Sequence, residues 1–261
     1  MQTQDRVQFE LTQDQRKQFE QNGYLVIPAL ASQRRVEVMR TLAQRQLAEE
    51  QQPIEYEADV AYPGAPVNRN VEGGDTPRRL LQAYDRDPAF AEWAQDPQAA
   101  HIIRQLLNTD ELRLTRSHHN CVMTKHPGYS SATLWHQDLR YWSYEKPDLI
   151  NSWLALGDET PENGCMWLLP GSHRLNVSPE QLDEAKFLRP EHPANRELID
   201  SALPAELHPG DVLFFHAGVF HAAGRNETQQ LKLSTVFTYR AADNQPLPGT
   251  KSSRYSSTAV A

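Results

Sequence analysis

Apolar positions along this chain change their spacing near Glu111. Before it they recur every three or four residues. Val36, Met39, Leu42, Ala43 and Leu47 share one side of a predicted helix, with Ser32 as its N-cap. Thr12-Gln-Asp-Gln15 has capping-box form and opens a shorter helix that ends at Phe19, before Asn22-Gly23. Tyr24 to Ile27 reads as a short strand stopped by Pro28. A helix pair is predicted around residues 78–84 and 98–107, the second opened by Asp96-Pro97. Residues 53–76 lack periodicity and carry Pro63-Gly64, Pro66 and Gly73-Gly74, so they read as a long loop.

After Glu111 the pattern becomes strand-like. Strands are predicted over residues 112–124, 133–138, 149–156, 165–169, 212–216, 219–222 and 231–239, with Pro-Gly or Asn-Gly turns between several of them. Glu162-Asn163-Gly164 predicts a hairpin joining 149–156 to 165–169. Residues 178–201 are charged and contain proline, and they read as an excursion over the mouth of the sheets. Short strands at even spacing, preceded by helices, predict a mainly β fold with flanking helices, a double-sheet jelly roll. One domain spans residues 1–261: a helical part to about 110, a jelly-roll core to about 241, and a loose Ser-rich tail from 242.

Composition narrows the function. The net charge of −8 comes without a basic stripe, which argues against a nucleic-acid partner. No apolar run is long enough to span a bilayer, and the polar opening lacks a signal core, so a cytoplasmic location without a membrane partner is expected. Cys121 and Cys165 are the only cysteines, which suits a reducing compartment and excludes a Cys-x-x-Cys zinc site.

The candidate chemistry lies in Trp135-His-Gln-Asp138. On a strand, His136 and Asp138 point to one face and Gln137 to the other. An imidazole and a carboxylate on one face make two-thirds of a 2-His-1-carboxylate site, which holds Fe(II) and leaves coordination positions open. His221 is the best third ligand, and His216 is its rival. The triplet alone is a weak signal. Its weight comes from the motifs downstream of it in the chain: Asn163-Gly164, Pro170-Gly-Ser-His173, Pro209-Gly-Asp211, and His221 in Val-Phe-His-Ala-Ala-Gly-Arg-Asn.

This order and spacing resemble the phytanoyl-CoA dioxygenase family of iron- and 2-oxoglutarate-dependent oxygenases, from Asn22-Gly23-Tyr24 to about Arg240. The resemblance implies a double-stranded β-helix with iron ligands at His136, Asp138 and His221. It implies an aromatic residue beside the cosubstrate at Trp153. The family's usual arginine for the far carboxylate of 2-oxoglutarate is Lys232 here, and a frequent Ser or Thr is Ala223. Lysine keeps the charge but loses the planar two-pronged donor. Arg225 or Arg240 are possible substitutes. The implied reaction couples O2 and 2-oxoglutarate to hydroxylation of a C–H bond in a small molecule. Asp138 favours hydroxylation, because related halogenases carry a small residue there. Arg116, Arg140 and Trp142 are candidate substrate contacts, and alternation lets only every second residue of the stretch carrying Arg116, His118, His119 and Asn120 face the pocket. The alternative is a non-catalytic metal or small-molecule binding protein with an eroded 2-oxoglutarate site.

Overall fold

A computed structural model describes residues 9–60 and 64–261. The first eight residues of the polar opening and the Pro63 step of the long loop lie outside the described residues.

Local signals set the N-terminal elements. Helix α1 (Gln13–Asn22) begins with the Thr12/Gln15 capping box and stops at Gly23, whose φ of 80° is the left-handed conformation of a helix end. Strand β1 (Tyr24–Ile27) follows directly. Helix α2 (Gln33–Ala48) starts where the Ser32 side chain accepts from Arg35 N, and it buries Val36, Met39 and Ala43. Then come β2 (Ile54–Tyr56), β3 (Pro77–Leu81) and three helices: α3 (Ala83–Arg86), α4 (Pro88–Ala94) and α5 (Pro97–Leu107). The Asp96 carboxylate caps α5 by accepting from Gln98 N and Ala99 N. Ile102 and Ile103 on α5 are fully buried, each worth about 1.5–3 kcal/mol by removal of apolar surface from water.

The remaining strands are β4 (Leu112–Leu114), β5 (Asn120–Lys125), β6 (Thr133–His136), β7 (Leu149–Ala155) and β8 (Met166–Leu168). After helix α6 (Pro193–Asp200) come β9 (Leu203–Ala205), β10 (Val212–His216), β11 (His221–Ala223), β12 (Lys232–Ala241) and β13 (Thr258–Val260). The larger sheet runs β1-β10-β7-β12-β5-β3-β2, with β4 pairing the end of β12 and β13 pairing β4. The smaller sheet runs β6-β11-β8-β9. Every pairing is antiparallel. This is the expected jelly roll.

Strand alternation divides the core. Ile150 and Leu154 of β7, Phe214 of β10 and Phe237 of β12 pack toward the helices. Trp153, Leu213, Phe215 and Val236 point between the two sheets, against Met166 and Leu168 of the smaller one. The same inward face also carries polar side chains, and the functional site lies among them.

Four expectations need correction. Residues 78–81 are strand, not helix: Leu80 enters the core while β3 bridges β2 and β5, so sheet pairing overrides a four-residue helical pattern. The stretch 112–124 is two strands, broken at 115–119. Strands β7 and β8 lie in different sheets, so Glu162-Asn163-Gly164 closes a 3-10 turn rather than a hairpin. The tail is not loose: β13 pairs β4, Val260 is buried, and Arg104 Nη2 donates to Val260 O at 2.8 Å.

Gly23 joins two constraints. Its φ is 80°, and an added Cβ would meet His173 Nδ1 at 2.4 Å and Val219 Cγ2 at 2.6 Å. Gly23→Ala is expected to destabilise the protein by at least about 1 kcal/mol, lowering the thermal midpoint by a few degrees in a calorimetric scan.

Candidate metal centre and its cavity

His136 and His221 are directly opposed partners on antiparallel β6 and β11. Their ring centroids lie 4.3 Å apart. Each ring is fixed through Nδ1: that of His136 is 2.8 Å from Leu134 O, and that of His221 is 3.0 Å from Val219 O. A carbonyl oxygen can only accept, so Nδ1 carries the proton in each ring. Both Nε2 atoms therefore present lone pairs inward, the tautomer a metal requires.

Asp138 arrives differently from expectation. Strand β6 ends at His136, and Asp138 opens a 3-10 turn, Asp138–Tyr141. Gln137 is still extended (φ −104°, ψ 140°), so alternation carries Asp138 to the face of His136 before the chain turns. Asp138 is buried, and its Oδ2 accepts from Asn151 Nδ2 at 2.7 Å. Asn151 Oδ1 in turn accepts from the Thr238 hydroxyl, which ties the turn to β7 and β12 of the other sheet. Asp138 Oδ1 is buried with no hydrogen-bond donor. It lies 3.6 Å from both His136 Nε2 and His221 Nε2.

A buried carboxylate oxygen facing two lone pairs is costly unless a cation joins them. The ligand atoms of His136, Asp138 and His221 lie within 4.8 Å of one another. This donor set of two imidazole nitrogens and one carboxylate oxygen fits a divalent iron ion. Burial pushes the His221 imidazole down to about 4. Burial opposes ionisation of Asp138, yet the His119, His221 and His136 rings hold its carboxyl well below the usual range.

A third imidazole approaches the carboxylate. His119 Nε2 is 3.4 Å from Asp138 Oδ1, while its Nδ1 is buried without a partner. Its φ of 22° is rare for any residue but glycine, and it falls where the expected long strand breaks in two. Of the four residues left open on that stretch, His119 faces Asp138, and it lines the cavity that holds His136 and His221. His118 meets Trp142 edge-on at 4.7 Å, Asn120 Oδ1 accepts from Tyr84 N, and Arg116 pairs with Asp85.

Two cavities meet here. The inner one is lined by His136, Asp138 and His221 together with Trp153, Ala223, Lys232, Lys125 and Arg78. The outer one encloses about 510 Å³ and includes Glu55, Asp59, Arg116, His118 and Lys251. Arg79 and His119 line both, so they stand at the passage between them. Residues from the long loop line the outer cavity, and Phe187 from the 178–201 excursion packs its ring 5.8 Å from that of His136. Both segments thus lie at the metal end of the roll.

The other candidates separate clearly. Lys232 is buried, not a solvated surface lysine, and its Nζ is 2.9 Å from Glu159 Oε2. Glu159 Oε1 also accepts from Trp153 Nε1 at 2.8 Å and from the Ser234 hydroxyl. Arg140 stacks on Phe187 at 4.1 Å, and Trp142 packs with Leu149 and Ala217; neither lines the two cavities. His216 accepts from Gly218 N and lies 3.6 Å from Asp148, outside the group formed by His136, Asp138 and His221. Arg240 donates to the carbonyls of Ala241, Ala242 and Asn244. Sequence reasoning missed Asn151, Glu159 and Lys125. Each is polar on an otherwise apolar stretch or turn, a signal that gains meaning only once the inward face is known.

The architecture and donor set are those of a non-haem iron oxygenase. The chain belongs to the phytanoyl-CoA dioxygenase family, whose model matches residues 19–234. It is 26% identical over 246 residues to the peroxisomal phytanoyl-CoA dioxygenase of Mus musculus, covering 90% of this chain and 70% of that one. It is 28% identical over 249 residues to the ectoine dioxygenase of Stutzerimonas stutzeri, covering 87% and 76%. Among solved structures, EctD from S. alaskensis with bound Fe superposes with a TM-score of 0.73 at 20% identity, covering 96% of this chain and 86% of that one. The epimerase SnoN from nogalamycin biosynthesis gives 0.72 at 22%, covering 90% and 82%.

This geometry has two measurable outcomes. Asn151→Ala removes the donor that orients Asp138 and is expected to weaken Fe(II) binding roughly 10- to 100-fold by equilibrium titration. Burial holds His118 down to about 3 and His173 to about 4, so both stay neutral in the folded chain. The unfolded chain protonates them below about pH 6.5, so stability is full above that pH and declines as pH falls toward 4. The urea midpoint of the metal-free protein is expected to be lower at pH 5 than at pH 7.5.

Proposed function

We propose that this protein is an Fe(II)- and 2-oxoglutarate-dependent dioxygenase that hydroxylates a C–H bond of a small polar molecule. The carrying observation is the buried Asp138 Oδ1, without a donor and 3.6 Å from two inward-facing imidazole nitrogens. His136, Asp138 and His221 hold the iron. Bound iron supplies O2 activation coupled to oxidative decarboxylation of the 2-oxo acid to succinate.

The chain's own contribution is placement and protection. The two Nδ1–carbonyl contacts and the Asn151–Asp138 bond fix the three ligand atoms before metal arrives. The inner cavity takes the 2-oxo acid, with Trp153 and cationic side chains in its lining. The outer cavity takes the substrate. Its volume suits a small ligand, and Glu55, Asp59, Arg116 and Lys251 favour one with polar or charged groups over a bare hydrocarbon. Arg116, which lines this cavity, is a substrate contact in this reading. Phe187 against His136 helps exclude water from the metal face. O2 is the co-reactant, and neither nucleic acid nor a membrane is a partner. Among the described residues no helix is long and apolar enough to cross a membrane, and Cys121 and Cys165 are free and buried, which suits the reducing cytoplasm.

A non-catalytic binding protein is the second reading. The Lys232–Glu159 pair favours it, because the lysine aligned with the family's arginine already has a carboxylate partner. Purified protein supplied with Fe(II), 2-oxoglutarate and O2 is expected to release succinate, even without substrate. Asp138→Ala is expected to reduce that release to background. Absence of succinate from wild-type protein that demonstrably binds Fe(II) would favour the second reading.

A further inference from the structure

Asp138 aside, the charged side chains around the inner cavity balance in pairs, with one cation left over. Arg78 Nη1 lies 2.8 Å from Glu57 Oε2, and Arg79 Nη1 lies 3.2 Å from Glu55 Oε2. Lys232 Nζ lies 2.9 Å from Glu159 Oε2. Lys125 has no carboxylate partner among the described residues. Its Nζ donates only to carbonyls, Ser131 O at 3.1 Å and Gly224 O. It sits opposite Lys232 in the β5–β12 register, on the inward face shared with Cys121 and Met123, and it lines the inner cavity.

An ammonium in such a place needs a reason. Directly opposed like charges destabilise a strand pair, and a neutral side chain would fill the position without that cost. The lysine is also held in place. Gly164 adopts a φ of 77°, and an added Cβ there would meet Lys125 Cδ at 2.8 Å and Gly224 O at 2.6 Å. The stem is therefore confined between backbone segments, and the head group is pre-set at the cavity.

We propose that Lys125 is the residue that receives the far carboxylate of the 2-oxo acid, while Lys232 is committed to Glu159. This rests on the oxygenase reading above. It places the anion's counter-charge on β5 instead of β12, and it accounts for the tolerance of Ala223 at a position where a hydroxyl would otherwise assist. Lys232 then acts indirectly: its bond to Glu159, shared with Trp153 Nε1, steadies the tryptophan wall of the cavity.

The groups facing Lys125 are Lys232 on β12, Arg78 on β3, Glu57 in the 3-10 turn after β2, and Glu159 in the loop after β7. Burial, followed by the repulsion of Lys232 and Arg78, pushes the Lys125 ammonium down to about 7. Binding a second carboxylate would restore its proton. Affinity for a dicarboxylic 2-oxo acid should then fall as pH rises above about 7, while affinity for a monocarboxylic one should not.

The test is equilibrium binding to the anaerobic Fe(II)-loaded protein, comparing 2-oxoglutarate with 2-oxopentanoate, which lacks the far carboxylate. Lys125→Met is expected to weaken 2-oxoglutarate about 10- to 100-fold and leave 2-oxopentanoate unchanged, with the pH dependence lost. Lys125→Arg should retain the preference for 2-oxoglutarate without the fall above pH 7. The double variant Lys232→Met/Glu159→Gln, which leaves no unpaired buried charge, should also retain that preference. Should Lys125→Met keep the full discrimination, or the double variant lose it, the assignment to Lys125 is overturned while the oxygenase reading stands. Failure of wild-type protein to bind either acid would overturn both.

Discussion

Everything at the functional end of this molecule depends on one carboxylate that is only half satisfied. Asp138 gives one oxygen to Asn151 and turns the other toward two imidazoles without receiving a donor. Left alone, such an oxygen would work against folding, since a buried charge without a partner is among the more costly features a protein can carry. A divalent cation converts that cost into affinity. The cross-strand pairing of β6 with β11 puts both histidines opposite each other, and the turn after β6 delivers the carboxylate. The Asn151–Thr238 contact then couples this small sheet to the large one. Metal affinity and the packing of the two sheets are thus parts of one arrangement.

The inward face of the large sheet shows how a barrel interior is divided between packing and chemistry. Trp153 belongs to the apolar cluster between the sheets, yet its indole nitrogen also serves Glu159. Glu159 collects Trp153, Ser234 and Lys232 at once. A single acid from a loop thereby fixes three side chains from β7 and β12. Such fully satisfied buried networks rigidify a site, and rigidity is what keeps a cosubstrate and a substrate in register.

Much of this was legible in the chain. The two N-caps, the short β1 and the change to strand-like text after Glu111 come from local rules, and the structure has them. His136 and Asp138 were paired by strand alternation and His221 was joined to them by the family resemblance, and the structure brings the three together. The misreadings have physical causes. Arg78 to Leu81 looks helical locally but is claimed by two neighbouring strands. Glu162-Asn163-Gly164 carries hairpin chemistry, yet the strands it joins belong to different sheets, a fact that no local pattern encodes. Arg140 and Trp142 come after the motif in sequence, but the 3-10 turn directs them to Phe187 and Leu149 rather than to either cavity. Glu159 and Lys125 were invisible because their importance lies in partners over seventy residues away or across a strand pair.

The last strand has a structural meaning of its own. Strand β4 is only three residues long, and β12 covers one side of it. Without β13 its other side would present open backbone donors and acceptors at the margin of the large sheet. Thr258–Val260 covers that margin from within the same chain, and Arg104 of helix α5 secures the closure at Val260 O. Residues 258–260 thus act as a hem: a strand of three residues, pinned by Arg104, takes over from β4 as the margin, and so short an edge offers another molecule little backbone to pair with.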